Sequence, residues 1–258
     1  MLNIINKKIN KKYDFLRLKE KLNIYIYEKK SNEYKIYRAI IIISLLLKLS
    51  YMIELFETQG KENLNYYFYK IKSTYKKSKV INELINNNKL NNIFKFIDKN
   101  SNELFHPKYK KIIEIILFQL KNKKSKIIIF TNYRITTEII QQELKKKGIS
   151  VSKFIGQNKT INKGFTQKEQ NEILNKFREG AINVLVSTSI AEEGLDVPNV
   201  DLVIFFDPIL SEIRNIQRRG RTGRSNIGYV IILITKDTID EKNYWISYYN
   251  EKKMSETI

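Results

Sequence analysis

The densest chemistry in this chain is an arginine run, Gln217-Arg218-Arg219-Gly220-Arg221-Thr222-Gly223-Arg224. At helical spacing Gln217, Arg221 and Arg224 share a face, and Arg218 takes a neighbouring one. Guanidinium groups donate bidentately to phosphate oxygens and stay charged at any working pH. Two on one face could neutralise the charge that builds on a transferring γ-phosphoryl group, a role worth about 10³–10⁵ in rate. The same run equally suits a basic helix lying along nucleic-acid backbone.

Other polar residues gather just after short apolar runs. Ile127-Ile-Ile-Phe leads into Thr131-Asn132-Tyr133-Arg134, and Val151–Ile155 into Gly156-Gln157. Val184-Leu-Val leads into Ser187-Thr188 and on to Glu192-Glu193-Gly194-Leu195-Asp196, and Val203–Phe206 into Asp207-Pro208. In an open parallel sheet ligands bind beyond the carboxyl ends of the strands, so these four loops would open on one edge.

The elements that must carry these loops follow His106-Pro107. A helix is predicted over 110–121, then strands at 126–131, 151–155, 183–187, 202–206 and 229–235. Helices at 133–147, 166–179, 211–219 and 237–252 alternate with them. Continuously apolar strands alternating with helices predict a parallel sheet covered on both faces, a doubly wound α/β layer. Gly148 and Gly180 stand where a helix ends in a left-handed residue. His106, the sole histidine, reads as the start of a helix, and Asp240-Glu241 as surface charge on the last helix.

Up to residue 105 the sequence has one glycine, Gly60, and no proline, which predicts long helices. The boundary therefore falls between an all-α domain, 1–105, and an α/β domain, 106–258. The most apolar stretch, Ala39–Leu47, is bounded by Arg38, Lys48 and Glu54. It falls short of the roughly 20 apolar residues that span a membrane and reads as a buried core helix. A further helix over 62–79 interleaves Lys70, Lys72, Lys76, Lys77 and Lys79 with Tyr66, Tyr67, Tyr69 and Tyr75. Such a face could hold the duplex arms of a nucleic-acid fork, or could simply be solvated.

Lys and Arg number 47 against 27 Asp and Glu, a net charge of +20. The first 105 residues hold 21 of the basic and 10 of the acidic residues. A polyanionic partner follows. The absence of cysteine excludes disulfides and thiolate chemistry, and the N-terminus lacks a signal-peptide pattern, so an intracellular location, cytoplasmic and nucleoid-associated, is expected.

Taken together, 127–134, Phe154-Ile-Gly-Gln, 184–198 and 217–224 resemble motifs IV to VI of superfamily-two helicases, in that family's order. The resemblance is strongest to the archaeal Hef and FANCM helicases and extends to Ile213-Arg-Asn-Ile-Gln and Tyr244-Trp245. Ile53-Glu-Leu-Phe-Glu-Thr-Gln-Gly60 is similar to the helical insert that Hef carries between its two RecA-like lobes. This resemblance, over roughly 34–258, implies a RecA-like second motor lobe preceded by a helical, thumb-like insert. It implies arginine fingers at Arg221 and Arg224, with Gln217 placing nucleotide or water. Gly194, Asp196 and Arg218 would serve the nucleotide; Thr131, Asn132, Arg134, Gly156 and Thr188, with Lys72, Lys76 and Lys77 of the insert, would hold nucleic-acid backbone. Glu192 and Glu193 would orient the arginines or stand solvated.

No G-x-x-x-x-G-K-[ST] phosphate loop occurs, nor an acidic strand end suited to magnesium. The expectation is half of a split ATP-dependent helicase acting on forked or branched DNA in repair or fork restart. ATP and magnesium would be held mainly by a separately encoded N-terminal lobe, with no membrane partner and no attached nuclease. The alternative is a non-catalytic nucleic-acid-binding module derived from a helicase.

Overall fold

The computed structural model describes residues 12–29, 34–75, 78–100, 105–155, 165–188, 199–208 and 227–255. The chain forms two compact units, residues 1–104 and 105–258.

The first unit is helical: α1 (Lys12–Lys29), α2 (Tyr34–Gln59), α3 (Lys61–Thr74), α4 (Lys79–Ile85) and α5 (Asn88–Lys99). Met52 of α2, Leu64, Phe68 and Ile71 of α3, Ile81 and Leu84 of α4, and Phe94 and Ile97 of α5 form its core. The Phe68 and Phe94 rings stack 4.2 Å apart. Asn87 caps α5 by accepting the Leu90 N–H at 3.0 Å, satisfying one of the orphan donors of a helix start.

Two expectations change here. The helix foreseen over 62–79 stops at Thr74, and α4 starts afresh at Lys79. Lys72 therefore closes α3, Lys79 opens α4, and Lys76 and Lys77 lie outside the described residues. Also, α2 runs unbroken through Arg38, Lys48 and Glu54 for 26 residues, long and apolar enough by length and composition to cross a membrane. Only 17% of its most apolar window is buried, with Ile36, Ile43, Met52 and Leu55 inward and Ile42, Leu46 and Ile53 exposed. The reading of a buried core helix thus holds for one side of α2 only. Isolated charges did not interrupt it because a long helix can turn them outward between apolar neighbours.

The second unit begins with α6 (Pro107–Gln119), where His106 is the N-cap, its Nδ1 accepting the Lys108 N–H at 3.2 Å. Next come β1 (Ile127–Phe130), α7 (Arg134–Lys146), β2 (Val151–Phe154), α8 (Gln167–Arg178), β3 (Val184–Ser187), β4 (Val200–Phe205), β5 (Ile227–Ile232) and α9 (Ile239–Ser255). All five strands are parallel, in the order β2-β3-β1-β4-β5. On one face Tyr109, Ile112 and Ile116 of α6 and Ile140 and Leu144 of α7 pack against Ile127, Ile129, Val184, Val186, Leu202 and Ile204. On the other, Phe177 of α8 packs with Ile128, Phe130, Leu185, Val203 and Phe205. Strands buried on both faces explain why their sequences are continuously apolar rather than alternating. Gly148 and Gly180 take φ of 73° and 82°, the left-handed helix ends expected of them.

Candidate nucleic-acid and nucleotide interface

In the order β2-β3-β1-β4-β5 the chain leaves β1 toward β2 on one side and leaves β4 toward β5 on the other. The carboxyl ends of β1 and β4 therefore flank the topological switch point, where open α/β sheets form their ligand crevice. Phe130 is in register with Ser187 on one side and Phe205 on the other. Thr131 thus stands between Ser187-Thr188 and Phe206-Asp207, three strand ends side by side.

One carboxylate oxygen organises this point. Asp207, 3% exposed, accepts through Oδ2 from the Thr131 hydroxyl at 2.9 Å and from the Asn132 N–H at 2.6 Å. The Thr131 hydroxyl also accepts the Tyr133 N–H at 3.3 Å, and the Thr131 N–H donates to the Ser187 carbonyl at 3.0 Å. This network bends the chain sharply from β1 into α7 and sets Arg134 in the first helical turn.

A second buried tie lies one residue away. The Lys108 ammonium donates to the Phe206 carbonyl at 3.0 Å, pairs with the Asp240 carboxylate, and stands 5.0 Å above the Phe206 ring. Asp240 also accepts the Thr235 N–H at 3.3 Å. The start of α6, the end of β4 and the start of α9 are thereby pinned together. Asp240, expected on the surface, is 5% exposed, because its partner Lys108 is 132 residues away in sequence. Glu241 accepts the Asp237 N–H at 2.7 Å, closing the turn before α9.

The comparisons agree with this architecture. Residues 107–226 match the family described as the helicase conserved C-terminal domain, and residues 1–101 match a helical bundle described for an ATP-dependent RNA helicase. The helicase domain of Pyrococcus furiosus Hef superposes with a TM-score of 0.74 at 40% identity, over 93% of this chain and 49% of that one. A Methanocaldococcus jannaschii protein described as an ATP-dependent RNA helicase is 39% identical over 94% of this chain, which spans 30% of that relative's length. An ATP-dependent DNA helicase of Pyricularia oryzae is 40% identical over 59% of this chain and 14% of its own length. The chain joins a helicase conserved C-terminal domain to a helical bundle, and its relatives are Hef/FANCM-type helicases. It carries their C-terminal helicase domain, a RecA-like parallel sheet, preceded by their helical domain.

Within this Hef/FANCM fold, Thr131, Asn132, Arg134 and Thr188 converge on the switch-point edge. They are not equally available. Thr131 is fully buried and its hydroxyl and N–H are both engaged, so it shapes the loop, whereas the Asn132 side chain is exposed and Arg134 half-exposed. Lys72 is exposed at the end of α3 in the helical unit. Gly156, Glu192, Glu193, Gly194, Asp196, Gln217, Arg218, Arg221 and Arg224 lie outside the described residues. The sequence places Asp207 at the ligand edge after a strand but gives it no role. The signal that could have found its role is the pairing of a strand-end Asp with a strand-end Thr in neighbouring strands.

Proposed function

We propose that this chain is the second motor lobe and helical insert of an ATP-driven helicase that moves on branched DNA, working with a first lobe supplied by another polypeptide. The observation that carries the reading is the switch-point edge where the ends of β3, β1 and β4 stand side by side. Asp207 holds the Thr131–Arg134 loop there, and the connection leaving β4 contains Gln217, Arg221 and Arg224 in sequence.

In this reading residues 1–105 are the insert and residues 106–258 the lobe. Asn132, Arg134 and Thr188, with the loop that begins at Gly156, hold the phosphodiester backbone without reading bases. Gly194 and Asp196 link that strand to the nucleotide side. Arg221 and Arg224 reach the γ-phosphate, Gln217 orients the nucleophilic water, and Arg218 adds charge near the phosphates. ATP in the assembled motor supplies the free energy of γ-phosphate cleavage. Guanidinium donors fit a triphosphate, while magnesium finds no ligand set among the described residues: Asp207 is committed to Thr131 and Asn132, and no three acidic or histidine side chains converge. In this reading magnesium is held mainly by the first lobe, and the protein works inside the cell where DNA is.

The test is reconstitution with a first lobe from a Hef-type helicase. The isolated chain is expected to hydrolyse little ATP, and the pair to show DNA-stimulated turnover. Arg221→Ala or Arg224→Ala should lower that turnover by about 10³-fold or more while leaving DNA affinity largely intact. Equal loss of affinity and turnover would instead mark a binding module without motor chemistry. An RNA duplex of the same branched form, run in parallel, decides between the two nucleic acids.

A further inference from the structure

The helical unit carries two adjoining hollows that the motor chemistry does not use. One, of about 290 Å³, is mainly apolar: Leu45 and Leu49 of α2, Leu84 of α4, and Leu90 and Ile93 of α5 line it, together with Lys89. The other, of about 380 Å³, lies between Tyr34, Tyr37, Arg38 and Ile41 of α2 and Lys79 of α4. Glu83 of α4 walls both, so the two form one groove. The α2 residues of this wall recur at steps of three and four, which puts them on one side of the helix. From residue 34 to residue 49 the wall runs about 22 Å at the α-helical rise. Ile93 is 54% exposed, so the apolar end is open to a partner. The exposed Ile42 and Leu46 stand on the next stripe of α2 and widen the apolar surface.

The charges around the groove decide what fits. Glu83 is already committed to Arg38, and the Asn87 side chain, also in the lining, accepts the Leu90 N–H. Lys79 and Lys89 have no carboxylate partner among the described residues. The uncommitted charge is therefore cationic, one ammonium at each hollow. Leucine and isoleucine walls offer nothing to a phosphodiester backbone, and an extended peptide would leave its N–H and C=O groups unpaired against them. A helix satisfies its own backbone and seats side chains at i, i+3, i+4 and i+7 in such a groove. A second copy of this chain is a poor occupant, because the first 105 residues hold 21 basic against 10 acidic residues and like charges would meet.

We propose that the groove between α2, α4 and α5 docks an acidic amphipathic helix of a partner protein. Its aliphatic side chains enter the apolar hollow, and its carboxylates pair with Lys79 and Lys89. The groove lies within the helical unit, and its test is independent of the motor reading.

The experiment is fluorescence anisotropy of a labelled peptide of about 16 residues, matched to the groove. It is built from Leu, Ala and Glu with leucines at i, i+3, i+4 and i+7 spacing, and is compared with a twin that has Lys for every Glu. The unaltered chain should bind the acidic peptide about tenfold more tightly than the twin. Ile93→Asp, which puts a carboxylate into the apolar hollow, should weaken the acidic peptide about tenfold or more. Lys89→Glu should weaken it about threefold to fivefold, less as salt rises, and should strengthen the twin by a similar factor. Lys95→Glu makes the same charge change on α5 at a residue lining neither hollow, and should leave both affinities within about twofold. Thermal melts separate misfolding from lost contact, and if Ile93→Asp does not fold, Ile93→Ser should still weaken the peptide about fivefold. Equal affinity for the two peptides, or full binding of the acidic one by Ile93→Asp and Lys89→Glu, overturns the proposal. Failure to bind either peptide overturns it as well. A dimer on size exclusion that Ile93→Asp dissolves then assigns the groove to a second copy, and loss of phosphatidylglycerol-vesicle binding in that variant assigns it to a lipid surface.

Discussion

Replacing Asp207 with alanine should release the turn between β1 and α7. Its Oδ2 accepts two hydrogen bonds, from the Thr131 hydroxyl at 2.9 Å and the Asn132 N–H at 2.6 Å. A hydrogen bond to a charged group contributes about 1.5–3 kcal/mol, so these two together contribute about 3–6 kcal/mol. That is a large share of the roughly 5–15 kcal/mol that holds a domain together. Asp207→Asn keeps an oxygen in place to accept from both donors but loses the charge, and should cost about half as much. The sole tryptophan, Trp245, sits on α9 of the same unit, so urea unfolding followed by its fluorescence reads this unit and not the helical one. Hydrogen exchange at the Asn132 amide gives the local answer, since its protection depends on the Asp207 acceptor. An alanine variant within about 1 kcal/mol of the unaltered chain, with the Asn132 amide still protected, would refute the anchoring role.

Lys108→Met alone should destabilise the second unit by about 3–5 kcal/mol, because Asp240 is left buried and unpaired. Lys108→Met with Asp240→Leu should recover most of that loss in the same fluorescence assay; equal costs for single and double variants would contradict the pairing. Gly228→Ala should cost about 1–3 kcal/mol, since a Cβ there would drive into the Asp201 backbone carbonyl and push β5 off β4. An unchanged urea midpoint would show that β5 accommodates the methyl freely.

Much of the α/β unit was legible because its physics is local. Ile127-Ile-Ile-Phe and Val184-Leu-Val are apolar on both faces, which only a covered parallel sheet tolerates, and the residues following them fall at its ligand edge. His106 before Pro107 announced a helix start, and the structure makes it the cap. What escaped the sequence was settled at long range or by subtle local geometry. Nothing near Asp240 reveals Lys108, and nothing near Asp207 reveals Thr131, because parallel strands bring together residues far apart in the chain. The helix α1 was not delimited because Lys12–Lys29 mixes charge and apolar residues and none of its described side chains is fully buried. The break between α3 and α4 lacks glycine and proline, the usual punctuation.

Because one oxygen of Asp207 grips both a side chain and a main-chain amide of the neighbouring strand's loop, the tips of β1 and β4 cannot shift independently. A ligand that displaces one of these tips is therefore expected to shift the other through the Asp207 bridge.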